Sequence, residues 1–238
     1  MIPINAPQFG EEEIAVVAKV LKSGMLTHGL GAGPMVTKFE KDFAKFVKAK
    51  HAIAVNSGTA ALHSALMGTG IKSGDEVILP SFTFVATAEA IVFAGAKPVF
   101  VDIDPETYNI SPAKIEKAIT KKTKAIMPVD LYGLPADMQP IREIADKHGL
   151  LVIEDAAQAH GATYKEKPAG AFADVACWSF YLSKNMTTGE GGMVTTNDDE
   201  IAEKLWFIRC HGEKEKYKSV MLGHNYRMPE IQAAIGCV

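Results

Sequence analysis

Cysteine is scarce in this chain: Cys177, Cys210 and Cys237 are the three present in 238 residues. They are too few and too scattered for a disulfide framework or a zinc site, and a reducing cytoplasm is the expected home. Net charge is nearly absent as well, since 25 Lys and Arg stand against 28 Asp and Glu to give −3. Such a balance leaves no electrostatic footprint for nucleic acid or an anionic membrane. Basic stretches such as Lys121-Lys122 and Lys214 to Lys218 alternate with acidic or apolar residues and read as solvated faces. No uninterrupted apolar run reaches membrane-spanning length. The start, MIPINAPQFGEEE, lacks the basic and apolar regions of a signal peptide. The seven histidines show no metal spacing such as HExxH. A soluble intracellular protein without a metal centre is expected.

Apolar residues are plentiful by contrast, at 47%, enough for one large domain with a sizeable core. Helical spacing marks Glu11 to Lys22 and Met35 to Lys48. Strands are expected at His51–Val55, Glu76–Pro80, Lys97–Ile103, Lys124–Leu131, Leu150–Ala156, Val175–Tyr181 and Met193–Asn197. Helical patterns alternate with them at Thr59–Met67, Thr87–Phe93, Pro112–Ile119, Met138–Lys147 and Glu200–Arg209. Several strands are continuous apolar runs, which argues burial on both faces. Joined by helices, they predict an α/β domain with a mainly parallel sheet.

Ligands in such sheets collect at the carboxyl ends of the strands. NSGT (Asn56 to Thr59) follows the first strand and opens a helix, where free N–H groups and the dipole favour an anion such as phosphate. Taken alone, this stretch reads as an ordinary N-cap. GLGAG (Gly29 to Gly33) follows no apolar strand and reads as a flexible loop rather than a dinucleotide fingerprint. Phe82 and Phe84 flank Thr83 after the second strand. Asp155 ends LLVIEDA, where a semi-buried carboxylate needs a cation or hydrogen bonds. In WSFY, Ser179 and Phe180 point to opposite faces, so one of them can meet a ligand. Lys184 lies just past that strand and alone would pass for a surface lysine.

The combination says more than its members. A phosphate cradle, an aromatic face, a carboxylate and an amine are the four parts needed to hold pyridoxal 5'-phosphate.

The same blocks carry a family resemblance over essentially the whole chain. They are NSGTAAL (56–62), PSFTFVATAEA (80–90), GAKPVFVDID (95–104), IEDAAQAHGA (153–162), SFYLSKNMTTGEGGM (179–193) and GHNYRMPEIQAAIG (223–236). In this order they resemble the DegT/DnrJ/EryC1/StrS sugar-nucleotide aminotransferases, pyridoxal-phosphate enzymes of fold type I. The resemblance implies that Lys184 forms the Schiff base and then moves the proton between substrate and cofactor. It implies that Asp155 holds the pyridine nitrogen, that Gln158 approaches the ring's phenolic oxygen and that Phe84 stacks on the ring. Ser57, Gly58, Thr59 and Ser179 would bind the phosphate, and Asn225 would reach it from the neighbouring subunit of a homodimer. The implied partners are an amino donor, L-glutamate in this family, and a nucleotide-linked keto-sugar.

Departures are few. Leu182 and Ser183 stand where many relatives have proline or threonine, and neither supplies chemistry. Asp130 in VDLYG often corresponds to histidine, which is expected to alter substrate contacts. Lys184 argues against the dehydratase branch, which carries histidine there. Relatives continue past IQAAIGCV into a smaller C-terminal domain, so residues 1–238 are expected to be the cofactor-binding large domain alone. His160 and His211 are expected near the site without a role. Three alternatives remain open: another outcome on the same cofactor, a regulatory or binding relative without turnover, and a dinucleotide-binding α/β domain.

Overall fold

The structure, a computed structural model, describes residues 5–238; the first four residues of MIPINAPQFGEEE lie outside the described residues. Its strands are β1 (His51–Val55), β2 (Glu76–Pro80), β3 (Lys97–Val101), β4 (Thr123–Ile126), β5 (Leu151–Asp155), β6 (Thr163–Tyr164), β7 (Lys167–Pro168), β8 (Val175–Ser179), β9 (Gly192–Thr196), β10 (Glu213–Glu215) and β11 (Lys218–Ser219). The helices are α1 (Glu11–Ser23), α2 (Pro34–Val47), α3 (Gly58–Gly68), α4 (Val85–Phe93), α5 (Pro112–Ala118), α6 (Met138–His148), α7 (Asp199–Arg209) and α8 (Glu230–Gly236).

Seven strands pair into one sheet in the order β1-β9-β8-β5-β4-β2-β3. Both pairings of β9 are antiparallel and the remaining ones are parallel, so β9 alone runs against the others. Side chains alternate across the sheet. Ile53, Val77, Ile153 and Cys177 therefore join one core with α3, α4 and α7, while their neighbours Ala54, Ile78, Val152 and Ala176 pack under α2, α8, α5 and α6. Every inner strand is covered on both faces, and this is why the runs read as continuously apolar.

Three expected strands are shorter than their apolar runs. Pro128 has no N–H to donate, so β4 stops at Ile126 and the extension survives only as a single bridge between Val129 and Asp155. Likewise β3 ends at Val101, with one bridge from Ile103 to Ile110 beyond it. The strand β8 ends at Ser179, where the chain turns toward Lys184.

Local chemistry sets the helix starts. The N–H groups of Met35 and Val36 in the first turn of α2 donate to the buried Glu230 carboxylate at 2.8 and 3.2 Å. Asp198 caps α7 by accepting from Glu200 and Ile201. The GLGAG stretch is a loop, as expected, but an anchored one. Gly31, at φ +92°, lies against Arg209, whose Nε would stand 2.8 Å from any β-carbon there. That guanidinium is fully buried, pairs with Glu40 and donates to the Ala54 carbonyl at 3.1 Å.

Among the described residues no helix is long and apolar enough to cross a membrane. Those residues also hold no cluster of three or more His, Cys, Asp or Glu placed to bind a metal.

Candidate active site

Because β1, β2, β5 and β8 run parallel, their carboxyl ends open on one edge of the sheet. A cavity of about 440 Å³ lies there, walled by Ser57, Gly58, Thr59, Phe84, Asp155, Gln158, Ser179 and Lys184. These are eight of the nine residues expected to form the site. Asn225 is the exception: it lines an adjoining cavity with Asn56, Arg227 and Gln232, which meets the first at Ser57 and Glu190.

The floor of the cradle is the start of α3. The Ser57 hydroxyl accepts from the Ala60 N–H at 3.1 Å, so the N-cap reading holds, yet its own proton stays free to donate. The first N–H groups of a helix have no acceptor within it, so those of Gly58 and Thr59 are available to an anion. Ser179 closes the other side: a β-carbon at Gly58 would stand 2.7 Å from Ser179 Cβ.

Asp155 is 5% exposed. Its Oδ2 accepts from the Thr87 hydroxyl at 2.8 Å and its Oδ1 from the Ala157 N–H at 3.2 Å. Burial pushes the carboxyl above its ordinary value, while the Thr87 bond, the Ala157 bond and the charge of Lys184 pull it back. Lys184 responds in the opposite sense. Half-burial lowers its ammonium below the usual lysine value, and the charge of Asp155 partly restores it. A carboxyl raised by burial and an amine lowered by it therefore share one enclosure, each charge offsetting part of the other's shift.

Gln158 is oriented by an unexpected partner. Its Oε1 accepts from the Tyr132 backbone N–H at 2.6 Å, which leaves the amide nitrogen as the end free to donate. Phe84 is 70% exposed, with its ring open along the cavity wall. Phe180 points away from the cavity into the core with Phe39 and Phe43, as the alternation required.

Sequence reasoning passed over several lining groups, among them Thr83, Val129, Tyr181 and Glu190. The bonds between the hydroxyls of Thr83 and Thr87 and onward to Asp155, each 2.8 Å, were missed as well. The signal was present: both threonines lie in PSFTFVATAEA, four apart, with Thr83 just before α4 and Thr87 in its first turn. Asp130 corrects an expectation, since it is fully buried outside the cavity wall and has no surface with which to touch a substrate. His160 is also buried, packed among Phe43, Trp178 and Phe180. Burial, with Lys184 nearby, lowers it to about 4, so it is neutral at ordinary pH. His211 is exposed and lines no part of the cavity.

A family model, that of the DegT/DnrJ/EryC1/StrS aminotransferase family, matches residues 7–238. The chain belongs to this family. Among its relatives, the GDP-perosamine synthase of Caulobacter vibrioides is 49% identical over 237 residues, covering 99% of this chain and 63% of that protein. A pleiotropic regulatory protein of Geobacillus stearothermophilus is 53% identical, over 92% of this chain and 59% of its own length. The crystal structure of NtdA from Bacillus subtilis with bound cofactor PMP superposes with a TM-score of 0.89 at 37% identity, covering 100% of this chain and 56% of that one. The chain thus spans about three fifths of the length of the curated relatives it matches. The architecture is the fold type I α/β sheet of this family, with β9 as its antiparallel member.

Proposed function

We propose that this chain is the cofactor-binding large domain of a pyridoxal-phosphate aminotransferase. The reaction would move an amino group from L-glutamate to a keto group of a nucleotide-linked sugar. One observation carries the reading: Lys184 and Asp155 wall the same cavity as the Ser57-Gly58-Thr59 helix start. The residues fit the cofactor on chemical grounds. Asp155 is a buried carboxylate facing one lysine, and a protonated ring nitrogen would satisfy it. The unpaired N–H groups at the start of α3 suit a phosphate.

When bound, pyridoxal phosphate supplies an electron-withdrawing ring that stabilises negative charge on the carbon bearing the amine. This chain's residues do the rest. Asp155 keeps the ring nitrogen protonated, Gln158 donates to the phenolic oxygen, and Phe84 covers the ring. Ser57, Gly58, Thr59 and Ser179 hold the phosphate. Lys184, with its lowered ammonium, would hold the cofactor through its amine and, once released, would carry the proton between substrate and cofactor carbons in each half-reaction.

Asn225 lies outside its own cavity and beside an open one, a placement that suits service to a second subunit. The working unit is on this reading a homodimer with shared sites, acting in the cytoplasm, with a further C-terminal domain completing each subunit.

The regulatory name of the Geobacillus relative supports a second reading, cofactor binding without turnover. One experiment separates them. Purified protein loaded with pyridoxal phosphate is given L-glutamate alone, and 2-oxoglutarate is measured. A transferase yields one equivalent per site, and a nucleotide-linked keto-sugar then restores the cycle. Cofactor binding with no keto acid from any amino donor would favour the regulatory reading.

A further inference from the structure

Behind the cavity lies a pair of acids that none of these roles uses. Asp130 and Glu154 are both fully buried, on the sheet face opposite Asp155. Asp130 Oδ1 accepts from the Ala136 N–H at 3.0 Å, and Glu154 Oε1 from the Gly170 N–H at 2.6 Å. Their remaining oxygens, Oδ2 and Oε2, meet no donor group among the described residues. The two carboxyls are close enough for each to act on the other's proton. Two ionised carboxylates are acceptors only and would leave both of these buried oxygens unpaired; one proton between them would satisfy both.

Asp130 also begins the turn that serves the site. Its N–H donates to the Asp155 carbonyl at 3.1 Å, and its carbonyl accepts from the Gly133 N–H at 3.2 Å. Asn109 braces the middle, accepting from the Leu131 N–H at 3.1 Å. Tyr132 then takes a left-handed φ of +53°, uncommon outside glycine, and in that conformation its N–H reaches Gln158.

We propose that Asp130 and Glu154 share one proton and act as a positioning pair, their closed contact holding the 130–133 turn where the Tyr132 N–H aims the Gln158 amide into the cavity. The second half rests on the assignment of Gln158 to the cofactor. Burial pushes the Asp130 carboxyl well up and raises Glu154 too, in keeping with a retained proton. The titratable groups facing the pair are Asp155, whose charge raises both, and beyond it the Cys177 thiol, itself raised by burial and the acids; Lys184 faces Asp155.

The sign of the pH effect follows. Below the ordinary carboxyl value of about 4 the folded and unfolded chains are both protonated there, and the pair's contribution is fully present. At higher pH the unfolded chain has released the proton and the folded pair has not, so stability falls until the folded pair releases it.

The test has two arms. In the first, the cofactor-free protein and its Asp130→Asn and Glu154→Gln variants are unfolded in urea at a series of pH values from about 5 to 9. An amide donates without a titrating proton, so the variants lose about one proton's worth of slope, a tenfold difference in unfolding constant per pH unit. Parallel curves would overturn the shared proton. In the second arm, pyridoxal phosphate affinity is measured for Asp130→Ala, alone and in a Gln158→Ala background. The expected results are a loss of about tenfold alone, none further in the Gln158→Ala background, and near-normal affinity for Asp130→Asn. Equal losses in both backgrounds would overturn the route through Gln158. Unchanged affinity on Gln158→Ala by itself would remove Gln158 from the cofactor and the route with it, while the urea arm still decides the proton.

Discussion

Asp155 and Lys184 wall one cavity and act on each other's proton in opposite directions: the lysine draws the carboxyl down, and the carboxylate holds the ammonium up. Burial opposes both charges. Asp155→Asn should therefore free the amine at lower pH, because the one cause that raises Lys184 is gone while burial remains. Labelling of Lys184 by an amine-reactive ester, followed by peptide mass spectrometry across a pH series, reads this directly. An onset that stays in place or moves to higher pH would show that the carboxylate does not govern the amine.

Phe84 separates function from stability. At 70% exposure its ring buries little within the chain, so Phe84→Ala should leave urea stability within about 0.5 kcal/mol. Loss of a stacking partner should weaken pyridoxal phosphate binding about three- to tenfold. A large stability loss with unchanged cofactor affinity would make Phe84 a structural residue.

Gly58 has no room for a side chain beside Ser179. In Gly58→Ala the new methyl, 2.7 Å from Ser179 Cβ, must push the helix start away from β8. Pyridoxal phosphate affinity should fall by about tenfold or more. Affinity for pyridoxal without its phosphate should change far less. Equal losses for both compounds would detach this contact from phosphate binding.

Much of this arrangement is legible in the sequence because burial on both faces writes itself as unbroken apolar runs. Runs such as EVILP and VACWS marked their strands, and the parallel-sheet rule then placed NSGT, Asp155 and Lys184 on one edge. Direction is not written that way. MVTT looks the same in either sense, and only pairing shows β9 to be antiparallel. Backbone partners are equally silent, which is why the Tyr132 N–H that orients Gln158 was invisible. Asp130 was misread because neighbouring letters do not reveal which face of a strand end a carboxyl takes. Asn225 stays apart from the other residues for a physical reason as well, since its loop lines the next cavity.

Away from the site, Glu230 should act purely through folding. Its buried carboxylate takes two N–H groups from the first turn of α2. Glu230→Ala leaves both unpaired and should cost about 1–2 kcal/mol, a fall of roughly 2–8 °C in melting temperature. A thermal melt checks this. Unchanged stability would mean that water replaces the carboxylate there at little cost.

The most direct measurement is chemical. Purified protein is incubated with pyridoxal phosphate, reduced with borohydride and digested, and the peptides are weighed. The cofactor mass should sit on the peptide containing Lys184, and Lys184→Ala should abolish both that adduct and the bound cofactor's visible absorption. An adduct spread over surface lysines, or a Lys184→Ala protein with an unaltered spectrum, would contradict the assignment.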